Sequence, residues 1–233
     1  MNEYLTAHAA LAGWADKMPD REFLLQPVAG RLHVTTFSEA EDQARRMASA
    51  LAELGMNPGD KVAILAKNSA EWILADMAIA MAGLVSVPIY PTASADTVAY
   101  IIGHSEAKAL FIGKLDDPEA IGNAIPEALP TIAFPYPTVE CQHEWRELID
   151  GAEPIAAPHK PAPEDVMTIL YTSGSTGRPK GVVISYRAYA YGCNAALDVV
   201  GFGTEDRLLS YLPLAHVTER MALVGPSIYA GAR

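Results

Sequence analysis

Cysteine is almost missing from this chain. Only Cys141 and Cys193 occur in 233 residues, and their spacing matches no zinc site. That argues against a disulfide-stapled secreted domain and fits a reduced, cytoplasmic protein. The six histidines form no metal-ligand pattern either. Basic residues are few: 17 Lys and Arg stand against 28 Asp and Glu, a formal net charge of −11. Non-specific nucleic-acid binding needs a basic footprint, so nucleic acid is not an expected partner. An acidic surface keeps a protein soluble and still leaves room for a local cationic site. The first twenty residues, "MNEYLTAHAALAGWADKMPD", lack the basic n-region and long apolar h-region of a secretory signal.

Long hydrophobic runs are scarce too. The longest, residues 72–90 ("WILADMAIAMAGLVSVPIY"), carries one charge, Asp76. A membrane-spanning helix needs about 20 apolar residues. Here Asp76, Gly83 and Pro88 interrupt, and no Lys or Arg flanks the run. It reads as a buried helix, then Gly83, then a buried strand over Leu84–Val87. Peripheral contact with a membrane remains open.

What is present is a globular composition, half hydrophobic and 19% charged. A compact fold of this size buries roughly 70% of its unfolded surface. A helix is predicted over Tyr4–Ala15, then a hairpin turning near Ala29-Gly30. Ser38 and Glu41 have capping-box spacing before a helix with Ala40, Ala44, Met47, Ala48 and Leu51 on its apolar face, stopped by Gly55. "KVAIL" is a short central strand, and Asn68 is expected to cap the buried helix. A strand at Val85–Val87, a helix over Ser94–His104 and a strand at Ala109–Ile112 follow. This alternation predicts an α/β fold, a parallel-rich sheet flanked by helices.

Eight of the 17 prolines fall between Pro126 and Pro163. That stretch reads largely as extended connection, with room for short strands and one helix, Glu144–Ile149. The chain thus divides into a first α/β portion (1–114), a Pro-rich connection (115–163) and a final portion (164–233). In the last, a strand is predicted at Val166–Tyr171, another at Val182–Ile184, a helix from Tyr186 to Val199 and a strand at Arg207–Tyr211. Tyr186 and Tyr191 read as helix packing, and both cysteines as buried thiols.

Residues 171–182, "YTSGSTGRPKGV", look like a phosphate loop but break the P-loop rule. Counting from Gly174, the sixth position is Pro179 rather than Gly, and Gly181 follows Lys180 where Ser or Thr is required. A P-loop also hands its phosphates to a helix N-terminus. Here Pro179 disfavours helix at Arg178, and Val182-Val183-Ile184 prefers strand. The unit is strand, loop, strand, so a P-loop NTPase is the weakest reading. Gly174 and Gly177 still permit an anion nest of backbone N–H groups. Thr172, Ser173, Ser175 and Thr176 add hydroxyls, and Lys180 adds one mobile cation. A Ser/Gly-rich turn that binds nothing is the plain alternative.

This string resembles, nearly residue for residue, the signature loop of the adenylate-forming superfamily: acyl-CoA synthetases, peptide-synthetase adenylation domains and beetle luciferases. "LLSYLPLAHVTER", residues 208–220, resembles that superfamily's next motif, and its His-x-x-Glu-Arg ending is more typical of long-chain fatty acyl-CoA synthetases. Residues 36–94 resemble the first subdomain.

The resemblance implies a ligase that joins a fatty acid to ATP as an acyl-adenylate, releases pyrophosphate, and passes the acyl group to coenzyme A. It implies that Thr172 to Lys180, with Ser173, Gly174, Ser175, Thr176 and Gly177, hold the β- and γ-phosphates. Thr172 would help hold Mg²⁺, and Lys180 would stabilise departing pyrophosphate. His216 would lie between acyl pocket and nucleotide, where it could donate to the carboxylate, gate the acyl tunnel or serve only structure. Glu219 and Arg220 could form a local ion pair. The superfamily's Tyr-Gly-x-Thr-Glu motif, Thr-Gly-Asp aspartate, hinge and C-terminal lysine are not found. An N-terminal fragment is therefore expected, unable by itself to form acyl-adenylate and prone to dimerise through uncovered apolar edges. A different acid substrate, or a non-catalytic binding module, stays open.

Overall fold

The computed structural model describes residues 4–136, 139–172 and 177–233. Helix α1 (Ala7–Lys17) starts at Thr6, whose hydroxyl accepts from the Ala9 N–H, so it begins later than the periodicity predicts. Strands β1 (Glu22–Val28) and β2 (Arg31–Thr36) form an isolated antiparallel hairpin. Its turn places Ala29 and Gly30 at φ 49° and 78°, the doubly positive geometry that matches strand twist.

Helix α2 (Phe37–Glu53) does have a capping box, but from Thr36 and Glu39 rather than Ser38 and Glu41. Both pairs satisfy the spacing. The choice falls on Thr36 because Phe37 must enter the helix to stack on Phe23 with ring centroids 4.6 Å apart. Strand β3 (Lys61–Leu65) leads to helix α3 (Ala70–Met81). Ser69, not Asn68, caps α3, with its Oγ accepting from the Trp72 N–H. From Trp72 onward every residue of α3 is buried, including Asp76. A helix apolar all round belongs inside a core. Among the described residues no helix is long and apolar enough to cross a membrane.

Strand β4 (Val85–Ile89), helix α4 (Ala95–Ser105) and strand β5 (Ala107–Ile112) continue the alternation. The Pro-rich stretch holds the short strands β6 (Thr131–Ala133) and β7 (His143–Glu144) and the helix α6 (Trp145–Gly151) for which the sequence leaves room, and in addition a short helix α5 (Pro118–Gly122). Trp145 explains α6, since its ring packs among Phe111 and Phe134.

Strands β8 (Val166–Thr172) and β9 (Lys180–Ser185) complete a seven-stranded sheet of order β7-β6-β5-β3-β4-β8-β9. All pairs are parallel except β8 with β9. Helix α7 (Tyr186–Val200) buries Tyr186, Tyr189, Ala190 and Cys193, a stripe at i, i+3, i+4 and i+7. Tyr191 falls on the opposite side and is exposed, not packed; Cys141 is only partly buried. The strand predicted at Arg207–Tyr211 does not form. A strand needs a ladder, and among the described residues the backbone hydrogen bonds here run to a single residue, Arg233, through Leu208 N–H to Arg233 O and Arg233 N–H to Asp206 O. The chain closes with a three-residue helix α8 (Val217–Glu219), a π turn (Arg220–Val224) and helix α9 (Gly225–Ala230).

Candidate active site

In open parallel sheets, ligands bind outside the carboxyl ends of the strands, where strand order reverses. Here β4 and β8 run parallel and end at Ile89, just before Tyr90, and at Thr172. A cleft of about 500 Å³ opens there. Tyr90, Thr97, Tyr171, Thr172, Gly177 and His216 stand in its wall. Three of the residues singled out in the sequence are thus brought together from positions up to 44 apart in the chain.

The loop is a strand–loop–strand unit, as Pro179 and the valines predict. Thr172 and Lys180 are register partners across the antiparallel pair. Directly opposed residues share a face of the sheet, so hydroxyl and ammonium project to the same side. Thr172 and Lys180 are exposed, and Lys180 stands beside the cleft rather than in its wall. Gly177 has φ 89°, where a side chain would be strained. Ser173, Gly174, Ser175 and Thr176 lie outside the described residues.

Behind the loop runs an aromatic ladder. The Arg178 guanidinium lies 5.5 Å from the Tyr100 ring, Tyr100 meets His104 with centroids 5.2 Å apart and rings tilted by 34°, and His104 Nδ1 shares a 2.7 Å hydrogen bond with the Tyr171 hydroxyl. Burial pushes the Tyr90 and Tyr171 phenols above their ordinary value, with Tyr100 adding to the shift of Tyr171. Both remain protonated donors near neutrality.

His216 opens α8, as expected. Its Nδ1 accepts from the Thr218 N–H at 3.1 Å, so the neutral ring carries its proton on Nε2. Tyr90 meets the ring edge-on at 6.3 Å. Asn68, freed from capping, holds the approach to His216. Its Oδ1 accepts from the Leu214 N–H at 2.9 Å, and its Nδ2 donates to the Leu212 carbonyl at 2.7 Å.

Arg220 forms no local pair with Glu219. It is 1% exposed and reaches across the core to Asp76 on α3, donating from Nη2 to both carboxylate oxygens at 2.7 and 2.8 Å. Burial is the largest influence and opposes its charge, but Asp76 together with Tyr189 and Cys193 leaves the guanidinium above its ordinary value. The sequence did hold a signal: a lone Asp76 in an apolar run requires a buried partner.

The wall offers hydroxyls and no carboxylate, and among the described residues no three His, Cys, Asp or Glu cluster as for a metal. That donor set fits a magnesium ion that would arrive on phosphates, with the Thr172 hydroxyl the oxygen at hand. It does not fit a resident ion held by carboxylates.

Known proteins are similar to this chain in sequence and fold. Fatty acyl-CoA synthetase A of Dictyostelium discoideum is 33% identical over 226 residues, 91% of this chain and 34% of its own length. Long chain acyl-CoA synthetase 5 of Arabidopsis thaliana is 31% identical over 225 residues, 88% of this chain and 34% of its own. The chain therefore spans about a third of the length of these curated relatives. Among solved structures, a long-chain-fatty-acid CoA ligase of Rhodopseudomonas palustris, described as putative, superposes with a TM-score of 0.81 at 25% identity over 100% of this chain and 57% of that one. The anthranilate CoA ligase AuaEII, bound to anthranoyl-AMP, shares the fold with a TM-score of 0.85 at 23% identity, over 100% of this chain and 45% of its own. The AMP-binding enzyme family matches residues 11–233, and with a strand–loop–strand signature at the carboxyl end of a parallel sheet, this chain belongs to that family.

Proposed function

We propose that this chain is the phosphate-holding portion of an ATP-dependent long-chain acyl-CoA ligase. The observation that carries the reading is the pairing of Thr172 with Lys180 at the mouth of the signature loop, beside a cleft that also holds His216. The loop Thr172–Lys180 binds the β- and γ-phosphates through N–H groups and hydroxyls, with Ser173, Gly174, Ser175 and Thr176 contributing. Magnesium, when bound, neutralises part of the phosphate charge, and Thr172 is the residue here that would hold it.

Two anions must meet in this reaction, a carboxylate and a triphosphate. A carboxylate oxygen attacks the α-phosphorus, a new P–O bond forms, and the bond to the β-phosphate oxygen breaks. Charge gathers on departing pyrophosphate, where the Lys180 ammonium stabilises it. His216 presents an Nε2–H donor toward the same cleft and orients the fatty carboxylate. Coenzyme A then attacks the acyl carbon through its thiol, and AMP leaves.

Names of the sequence relatives and the His216-to-Arg220 motif favour a long acyl chain; the fold, shared with anthranilate and benzoate ligases, does not choose the acid. A cytoplasmic location is part of the proposal. The 233 residues alone bind pyrophosphate without adenylating. Edge strand β9 exposes Val182 and Val183, and pairing of two copies along it is proposed; light scattering should show a dimer. The activity test is ATP–pyrophosphate exchange, with fatty acids from acetate to stearate and with aryl and amino acids, by a polypeptide extending this chain to the relatives' length. Exchange that rises with chain length is expected. Exchange with aryl or amino acids alone would overturn the long-chain reading.

A further inference from the structure

We propose that Arg220 is a positioning residue that sets His216 against the cleft; this rests on the reading above. His216 caps a helix of three residues, which has no stability of its own. What holds it lies one turn on. The Arg220 N–H donates to the His216 carbonyl at 3.2 Å. The Arg220 guanidinium then spans three elements: Asp76 on α3, Thr168 Oγ1 on β8 at 2.9 Å and Ser86 Oγ on β4 at 3.2 Å. Trp72 and Tyr189 flank it, with ring centroids 5.5 and 5.7 Å from Cζ.

The choice of strands matters. Thr168 lies four residues below Thr172 on β8, and Ser86 four below Tyr90. These are the strands whose ends form the cleft wall. One planar fork therefore references the histidine to the loop residue and to its aromatic neighbour. A lysine, with one ammonium, cannot reproduce that geometry.

The main chain is locked at the same point. The Arg220 carbonyl accepts from the Gly225 N–H, the wider hydrogen bond of the π turn, and from the Tyr189 hydroxyl at 3.3 Å. A Cβ on Gly225 would lie 2.3 Å from Cys193 Sγ and 2.7 Å from the Arg220 carbonyl oxygen, so the turn is packed to its limit. π turns concentrate at functional sites, and a buried ion pair is better suited to specifying geometry than to adding stability.

The experiment uses the 233-residue chain with ¹⁵N-labelled histidine. Imidazole nitrogen shifts report the tautomer, and loss of a signal in His216→Gln assigns it. The native chain should show His216 as a single tautomer, protonated at Nε2. Arg220→Lys keeps the charge opposite Asp76 but loses the fork, and His216 should fall to the averaged signal of a free ring. Thr168→Val, isosteric, should do the same in part, and Thr168→Ser should restore the native signal. Thr168→Val decides the matter if Arg220→Lys does not fold. A His216 signal unchanged in a folded Arg220→Lys or Thr168→Val chain overturns the proposal. The readout needs no nucleotide. A chain that shows these shifts yet binds no magnesium pyrophosphate would refute the ligase reading while leaving the positioning role intact.

Discussion

Thr172 and Lys180 face each other across the β8–β9 pair, so the last residue of one strand and the first of the next present a hydroxyl and an ammonium on one side. In the proposed site, that pairing is what would meet a polyanion without a helix dipole. Lys180→Ala should weaken binding of magnesium pyrophosphate by about 10- to 100-fold, the value of one charge-assisted hydrogen bond. Lys180 is exposed, so unfolding free energy should change by less than about 0.5 kcal/mol. Calorimetric titration with chemical unfolding checks both. Unaltered affinity would remove Lys180 from the site.

The Asp76–Arg220 pair should behave quite differently. Asp76→Ala strands a fully buried guanidinium, and the cost should be about 3–5 kcal/mol. Replacing both residues with apolar ones, as Asp76→Leu with Arg220→Met, should recover most of the loss, since no charge is then left buried. Urea midpoints of the two singles and the double test this. Additive losses would mean that the pair is not one unit.

How much of this was legible beforehand follows from the range of each interaction. The strand–loop–strand reading of residues 171–182 rested on Pro179 and a β-branched run, which act within a few residues, and it holds. The box at Thr36 was missed because two overlapping Ser/Thr-x-x-Glu spacings compete, and only the burial of Phe37 against Phe23 decides between them. Asn68 reads as a cap until Leu214, 146 residues away, claims its side chain. Arg220 and Asp76 are as remote, so periodicity could show that Asp76 needed a partner but not which one.

Asn68 is the tie between α3 and the segment ahead of His216. It satisfies the Leu214 N–H and the Leu212 carbonyl together and also reaches Ser210 Oγ at 3.0 Å. Asn68→Ala leaves those backbone groups without their partner and should cost about 1–3 kcal/mol. Loss of the clamp should also show as faster amide exchange at Leu214. Asn68→Asp keeps the acceptor and loses the donor, so it should retain protection at Leu214 alone. Equal protection in all three chains would mean that the clamp does not hold the segment.

His8 makes the fold sensitive to acid. It is buried in α1, its Nε2 within 3.1 Å of Thr6 Oγ1 and 3.2 Å of the His159 carbonyl, with the Tyr186 ring edge-on at 6.3 Å. Burial lowers its pKa from 6.5 to about 4; the His159 carbonyl resists the fall, and the charge of the His159 ring adds to it. The folded state therefore binds fewer protons than the unfolded chain between those values. Stability from this group is complete above pH 6.5 and is lost as pH falls toward 4. Between pH 7 and 5 the loss should be about 2 kcal/mol. Carboxylates also titrate in this range, so the comparison is with His8→Gln, which removes only this proton. Urea unfolding of both chains at the two pH values isolates the difference. Parallel pH profiles for the two chains would show that His8 is protonated in the fold as readily as in the open chain.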